Sequence, residues 1–179
     1  MITQPENVRI ALQTDEEALY DLMFDYWRFL DGGKGFSFSA DVILRFIERG
    51  TRADVGSRTD RSDAVRVVHG VIDDPDEPGR LIGAISICIE PPVWYTAEVA
   101  TVERSMYVRE EARTWNLERD LVRFSEWLHQ QLKRDVAQNR FVHVTGFIHP
   151  WGRYAAMERL WRRLWGDRVQ KVGIIYFKD

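Results

Sequence analysis

Few residues in this 179-residue chain stand at a spacing that could do chemistry. The single cysteine, Cys88, lies among Ile85, Ile87 and Ile89. Such a thiol is read as a small core residue unless a base stands beside it. One cysteine also excludes an internal disulfide and a multi-cysteine zinc site, and it fits a reducing cytosol. The four histidines, His69, His129, His143 and His149, form no ligand spacing with carboxylates on one helix or turn, so no metal is expected and a hydrogen-bonded structural role is the default. Two features remain. Glu103 falls in an apolar-flanked segment, where strict alternation puts Thr101, Glu103, Ser105 and Tyr107 on one face and Val102, Arg104, Met106 and Val108 on the other. A carboxyl there either pairs with an arginine or, lifted toward neutrality by burial, takes up a proton. The run Arg113-Thr114-Trp115-Asn116-Leu117-Glu118 leads into a long helical pattern. Unpaired N–H groups and the positive dipole end favour an anion at such a start. Glu118 is itself an anion in that first turn, so the run also reads as a self-capped helix.

The elements that must position these residues follow from periodicity. Val8–Leu12 reads as a short strand, and Thr14 with Glu17 as a capping box opening a helix with Leu19, Leu22, Met23, Tyr26 and Leu30 on one stripe. Ser39 starts a second helix, with Val42, Ile43, Phe46 and Ile47 on one face and Gly50 closing it. Residues 51–63 are a polar loop. Strands over Val65–Ile72 and Leu81–Ile89 flank a Pro- and Asp-rich turn, which makes a hairpin. A further strand spans about Ala100–Val108. The long helix runs from about Leu117 to Lys133, with Leu117, Leu121, Phe124, Leu128 and Leu132 buried. Phe141–Ile148 is a strand, Arg153–Trp165 a helix, and Val172–Phe177 a last strand. The order β-α-α-β-β-β-α-β-α-β predicts one α/β domain over residues 1–179, a mixed central sheet flanked by helices.

Composition agrees. An apolar fraction of 45% and a charged fraction of 30% are those of a globular domain with a proper core. The longest uncharged apolar run, Leu81–Ile89, falls far short of the ~20 residues a membrane span needs, and no secretory signal opens the chain. No membrane association is expected. Residues 1–90 hold ten Lys and Arg against seventeen Asp and Glu, and residues 91–179 fifteen against eleven. The basic half carries Arg153, Arg159, Arg162, Arg163, Arg168 and Lys171 near Trp161 and Trp165, a pattern suited to an anionic ligand or nucleic acid as well as to ordinary surface and core. Seven tryptophans, with Phe24 and Trp27 off the main stripe of the first helix, suggest a protein partner or a homo-oligomer.

The element order and spacing, from Val8 to Phe177, resemble the GNAT superfamily of N-acetyltransferases. The segment Tyr107 to Glu118 matches that family's strand, loop and helix start, and Arg159-Leu160-Trp161-Arg162-Arg163-Leu164-Trp165-Gly166 matches its last helix. Trp94-Tyr95-Thr96 with Glu103 and Val108 also resembles a phage-encoded subgroup. The resemblance implies acetyl-CoA as cofactor, with its pyrophosphate held by the loop before the long helix, and Glu103 as the general base. In the family that loop reads Arg/Gln-x-x-Gly-x-Gly/Ala. Here Arg113 fits, Asn116 replaces the first glycine and Glu118 the second small residue. Trp161 stands where many members have a tyrosine that returns a proton to the thiolate, and an indole N–H is no acid near neutrality.

Two functions follow from the resemblance. The departures favour a fold-only descendant that binds or builds, for instance as part of a phage particle, with no cofactor. The alternative is an acetyl-CoA-dependent N-acetyltransferase of an unknown amine. The expected location is the cytoplasm, a host's cytoplasm or the virion if phage-encoded.

Overall fold

The computed structural model describes residues 3–29, 38–52, 66–90, 99–135 and 141–145, together with Arg159, Arg162 and Arg163. Five strands form one sheet in the order β1-β2-β3-β4-β5: β1 (Arg9–Ile10), β2 (Arg66–Asp73), β3 (Leu81–Glu90), β4 (Val99–Val108) and β5 (Phe141–Thr145). The first three ladders are antiparallel and the last is parallel. Helices α1 (Glu16–Phe29) and α2 (Ala40–Thr51) connect β1 to β2, and α3 (Trp115–Asp135) connects β4 to β5. A right-handed crossover helix is what a parallel β4–β5 pair requires. The polar loop, Trp94–Thr96, the end of the 141–148 strand, Trp161 and the last strand lie outside the described residues, while Arg159, Arg162 and Arg163 are helical.

Each face of the sheet has its own core. Under α3 lie Ile72, Ile82, Ile85, Ile87 and Val108, packed on Leu121, Phe124 and Leu128 with Leu117 and Leu132 at the margins. The 3.6-residue stripe of α3 is thus the buried one. Under α1 and α2 lie Val71, Leu81 and Ala84 against Leu19, Leu22 and Ile47. Gly70 faces α3, and a Cβ there would stand 2.5 Å from the Phe124 ring.

Two register shifts set which side chains reach which core. Between Ile72 and Asp73 the partners in β3 skip Ile82, and between Ser86 and Ile87 the partners in β4 skip Arg104. An extra residue in one strand inverts the alternation beyond it. The four residues expected on one face of β4 are therefore divided. Thr101 and Glu103 point to α3, and so do Met106 and Val108, whereas Tyr107 packs among α1 and α2.

Three local expectations are corrected. A 3-10 turn, Gln13–Asp15, precedes α1, so Thr14 lies inside the turn; the Asp15 carboxylate takes the Leu12 N–H at 2.7 Å. Ser39 occupies the N-cap position of α2 without a side-chain cap bond, and Val42 is exposed. Gly50 lies within α2 and does not close it, because the His69 ring fills the space where its side chain would be.

Candidate functional site: the β4 edge and the start of α3

The parallel ladder between β4 and β5 runs from Val99↔Phe141 to Glu103↔Thr145. Among the described residues, β4 continues past its last rung with no strand on that side. The bulge at Arg104 falls at the same point. Arg109 N–H bonds the Ile82 carbonyl at 2.9 Å, continuing the β3–β4 ladder. In an antiparallel pair, alternate residues turn their backbone groups to opposite edges. Tyr107 and Ser105 accordingly bond toward β3, while Met106 and Val108 present theirs to the opposite edge, where no strand lies beside them among the described residues. The Val108 carbonyl accepts from Arg113 Nη2 at 2.9 Å, on that edge.

The edge leads directly into the start of α3 through a 3-10 turn, Glu110–Ala112. Thr114 caps the helix, its Oγ1 accepting the Leu117 N–H at 3.4 Å and its carbonyl the Glu118 N–H at 3.3 Å. Trp115 and Asn116 are exposed and Leu117 is half-buried. The Arg163 guanidinium lies 5.9 Å from the centre of the Trp115 ring, which brings one of the basic C-terminal residues to this helix start.

Arg113 is enclosed. Its guanidinium carbon lies 4.9 Å from the centre of the Phe29 ring and 5.8 Å from that of Tyr107, within cation–π reach of both. Its Nε is 3.5 Å from Glu118 Oε1, an ion-pair distance, but the buried Nε–H makes no hydrogen bond. Glu118 therefore turns to Arg113. The rings around it belong to a larger aromatic group, with Tyr26 and Phe29 centred 5.4 and 5.7 Å from Tyr107. Burial pushes the Tyr26 phenol up to about 12 and raises that of Tyr107, which the neighbouring Arg113 opposes. An ion pair from Arg109 to Asp25 fastens α1 to the end of β4.

Glu103 is fully buried on the α3 side. Ser125 Oγ donates to its Oε1, and one turn along α3 His129 Nδ1 meets Thr101 Oγ1 at 3.0 Å. These two contacts tie β4 to α3 at the end of the β5 ladder. The structure brings Arg113, Thr114, Trp115, Asn116, Leu117 and Glu118 together at one helix start and sets Glu103 behind the sheet from Tyr107.

Elsewhere, His69 is buried between α2 and the sheet, with Nδ1 2.9 Å from Ser86 Oγ and Nε2 3.3 Å from the Phe46 carbonyl. Burial lowers its pKa to about 4, which keeps the ring neutral. Cys88 is buried opposite Val67 and Val102. Among the described residues, no cluster of His, Cys, Asp and Glu could hold a metal, and no helix is long and apolar enough to cross a membrane.

No family model and no curated protein matches the sequence. Solved structures do. A probable acetyltransferase aligns over 96% of this chain and 98% of its own, at a TM-score of 0.60 and 16% identity. The aminoglycoside N-acetyltransferase AAC(6')-Iy in complex with CoA aligns over 96% and 93%, at 0.60 and 14%. Ribosomal-protein-alanine N-acetyltransferase from Brucella melitensis biovar Abortus 2308 aligns over 95% and 97%, at 0.55 and 12%. The chain has the GNAT acetyltransferase fold. At these identities the likeness is one of architecture, and function has to be argued from the site. The Arg113–Glu118 run that the sequence singles out lies at the start of α3, beside an edge of β4 that no local pattern in the sequence marks.

Proposed function

We propose that this protein binds an acyl-coenzyme A and transfers the acyl group to an amine. One observation carries the reading: among the described residues, a β4 edge with an outward-facing amide at Met106 lies one 3-10 turn before the N-terminus of α3. That track suits a ligand with an extended, amide-bearing arm and an anion at its end. The residues present fit the group at the Met106 edge and at Asn116, and Arg163 adds a nearby cation. Bound there, the coenzyme would supply an activated thioester. The chain's own part is to receive the arm along β4, hold the anion at α3 and leave the α1 side of the strand for the acceptor, since Met106 and Val108 pack beneath α3 on the other. We assign Glu103 to holding the end of the β5 ladder, because its carboxylate lies against Ser125 on the covered side.

A second reading has its own support. The Arg113–Glu118 pair occupies the helix start as an internal salt link, as a binding module without cofactor would have it. Calorimetric titration of acetyl-CoA into the full chain decides between the two. Saturable heat at micromolar concentrations supports the first reading, and none at millimolar concentrations supports the second.

A further inference from the structure

Arg113 and Glu118 lie across the track described above. Arg113 Nη2 donates to the Val108 carbonyl, the outward-facing group next beyond Met106 on the edge that has no strand beside it among the described residues. Its Nε lies 3.5 Å from Glu118 Oε1 on the first turn of α3, and the Phe29 and Tyr107 rings lie within cation–π reach of the guanidinium. The side chain thus bridges the end of the strand edge and the start of the helix, the two halves of one binding surface. The contact is incomplete. The Nε–H is buried and makes no hydrogen bond, although a carboxylate oxygen stands 3.5 Å from Nε. A buried donor without an acceptor is a standing penalty, and a better-placed anion relieves it. An oxyanion held by the first N–H groups of α3 would sit near this guanidinium and beside Glu118, attracted by the one and repelled by the other.

We propose that Arg113 and Glu118 form a cis plug across the acyl-coenzyme A track, in which Glu118 serves as Arg113's resident anion and the ligand binds by replacing it. The proposal rests on the acyl-coenzyme A reading and adds regulation to it. Affinity is set by an exchange of partners at Arg113. Whatever neutralises or displaces Glu118 opens the site, and Arg113 is a positioning residue whose effect depends on that carboxylate.

The test is a double-mutant cycle read by calorimetry. Acetyl-CoA, and separately inorganic pyrophosphate, are titrated into the full-length wild type, Glu118→Gln, Arg113→Gln and the double variant. Glu118→Gln keeps the side-chain length and removes the charge. It is expected to tighten both probes by about two- to fivefold, the scale of one charge at a helix start. The gain should disappear in the Arg113→Gln background. Thermal melts check that each variant is folded, and Glu118→Ala serves as a second carboxylate deletion. Equal affinities for wild type and Glu118→Gln overturn the plug and leave the acyl-coenzyme A reading standing. So does the same gain with and without Arg113, which would mean plain repulsion. No binding of acetyl-CoA by any of the proteins removes that reading, and the plug with it.

Discussion

Gly50 of α2 and His69 of β2 share one space: a Cβ on Gly50 would stand 2.3 Å from His69 Cδ2 and 2.5 Å from Nε2. The ring is held from both sides by Ser86 and the Phe46 carbonyl, so it has nowhere to retreat. Gly50→Ala gains about 1 kcal/mol of helix propensity. It must also push α2 off the sheet or tilt a buried ring, at about 1–3 kcal/mol for an overpacked core. The net expectation is a loss of stability, seen as a lower urea midpoint. A higher midpoint would show that α2 shifts freely.

The same histidine gives stability a pH dependence. Its folded pKa is about 4, below the ordinary value of 6.5, so between these limits the unfolded chain binds more protons. Stability from this site is fully present above pH 6.5 and falls as the pH drops toward 4, by up to about 3 kcal/mol. Asp15, Glu16 and Glu111, whose pKa values lie below normal through arginine contacts and backbone bonds, lose their contributions at lower pH still. Urea unfolding of the wild type and His69→Gln at pH 4.5 and 7.5 isolates the histidine. The variant should show the smaller difference between the two pH values.

Ser125→Ala removes a donor from the buried Glu103 carboxylate. A cost of about 1–3 kcal/mol is expected for a hydrogen bond lost at a buried polar side chain. Glu103→Gln should weaken the protein likewise. If the protein transfers acyl groups, Glu103→Gln should also leave the shape of the pH–rate profile unchanged. A general base would instead lose its limb of the profile and about 10²–10⁴ in rate.

Met106→Pro probes the strand edge. Proline deletes an N–H that faces away from β3, so the β3–β4 ladder keeps the bonds of Ser105 and Tyr107. Affinity for acetyl-CoA should fall about three- to tenfold, the worth of one hydrogen bond. Unchanged affinity in a folded variant would show that the ligand's arm does not follow this edge.

Much of the architecture was legible in the sequence because it rests on period alone. Leu121, Phe124 and Leu128 recur at helical spacing, and the hairpin around Gly79 is flagged by its turn residues, Gly79 taking φ +88° as only glycine does easily. The two bulges were not legible: neither Ile82 nor Arg104 is a residue that marks a bulge, so strict alternation placed Tyr107 on Glu103's face. Gly50 was misread because glycine more often ends a helix than accommodates a ring from a strand. The α3 start could be seen as a place for an anion. That Arg113 reaches back to Val108 and stacks on Phe29, 84 positions earlier in the chain, depends on tertiary packing that no local pattern encodes.

The bulge at Arg104 has a consequence for how this chain can change in length. It works as a parity bit: odd-numbered residues before it and even-numbered residues after it lie beneath α3. Deleting any one residue between Glu103 and Met106 would exchange the two sets. Either Thr101 and Glu103 would leave their partners on α3, or Tyr107 would be driven into the Phe124 core and Met106 and Val108 out of it. Insertions and deletions in related chains are therefore expected in the turns and loops, and the stretch from Val99 to Val108 should vary in residue type but not in length.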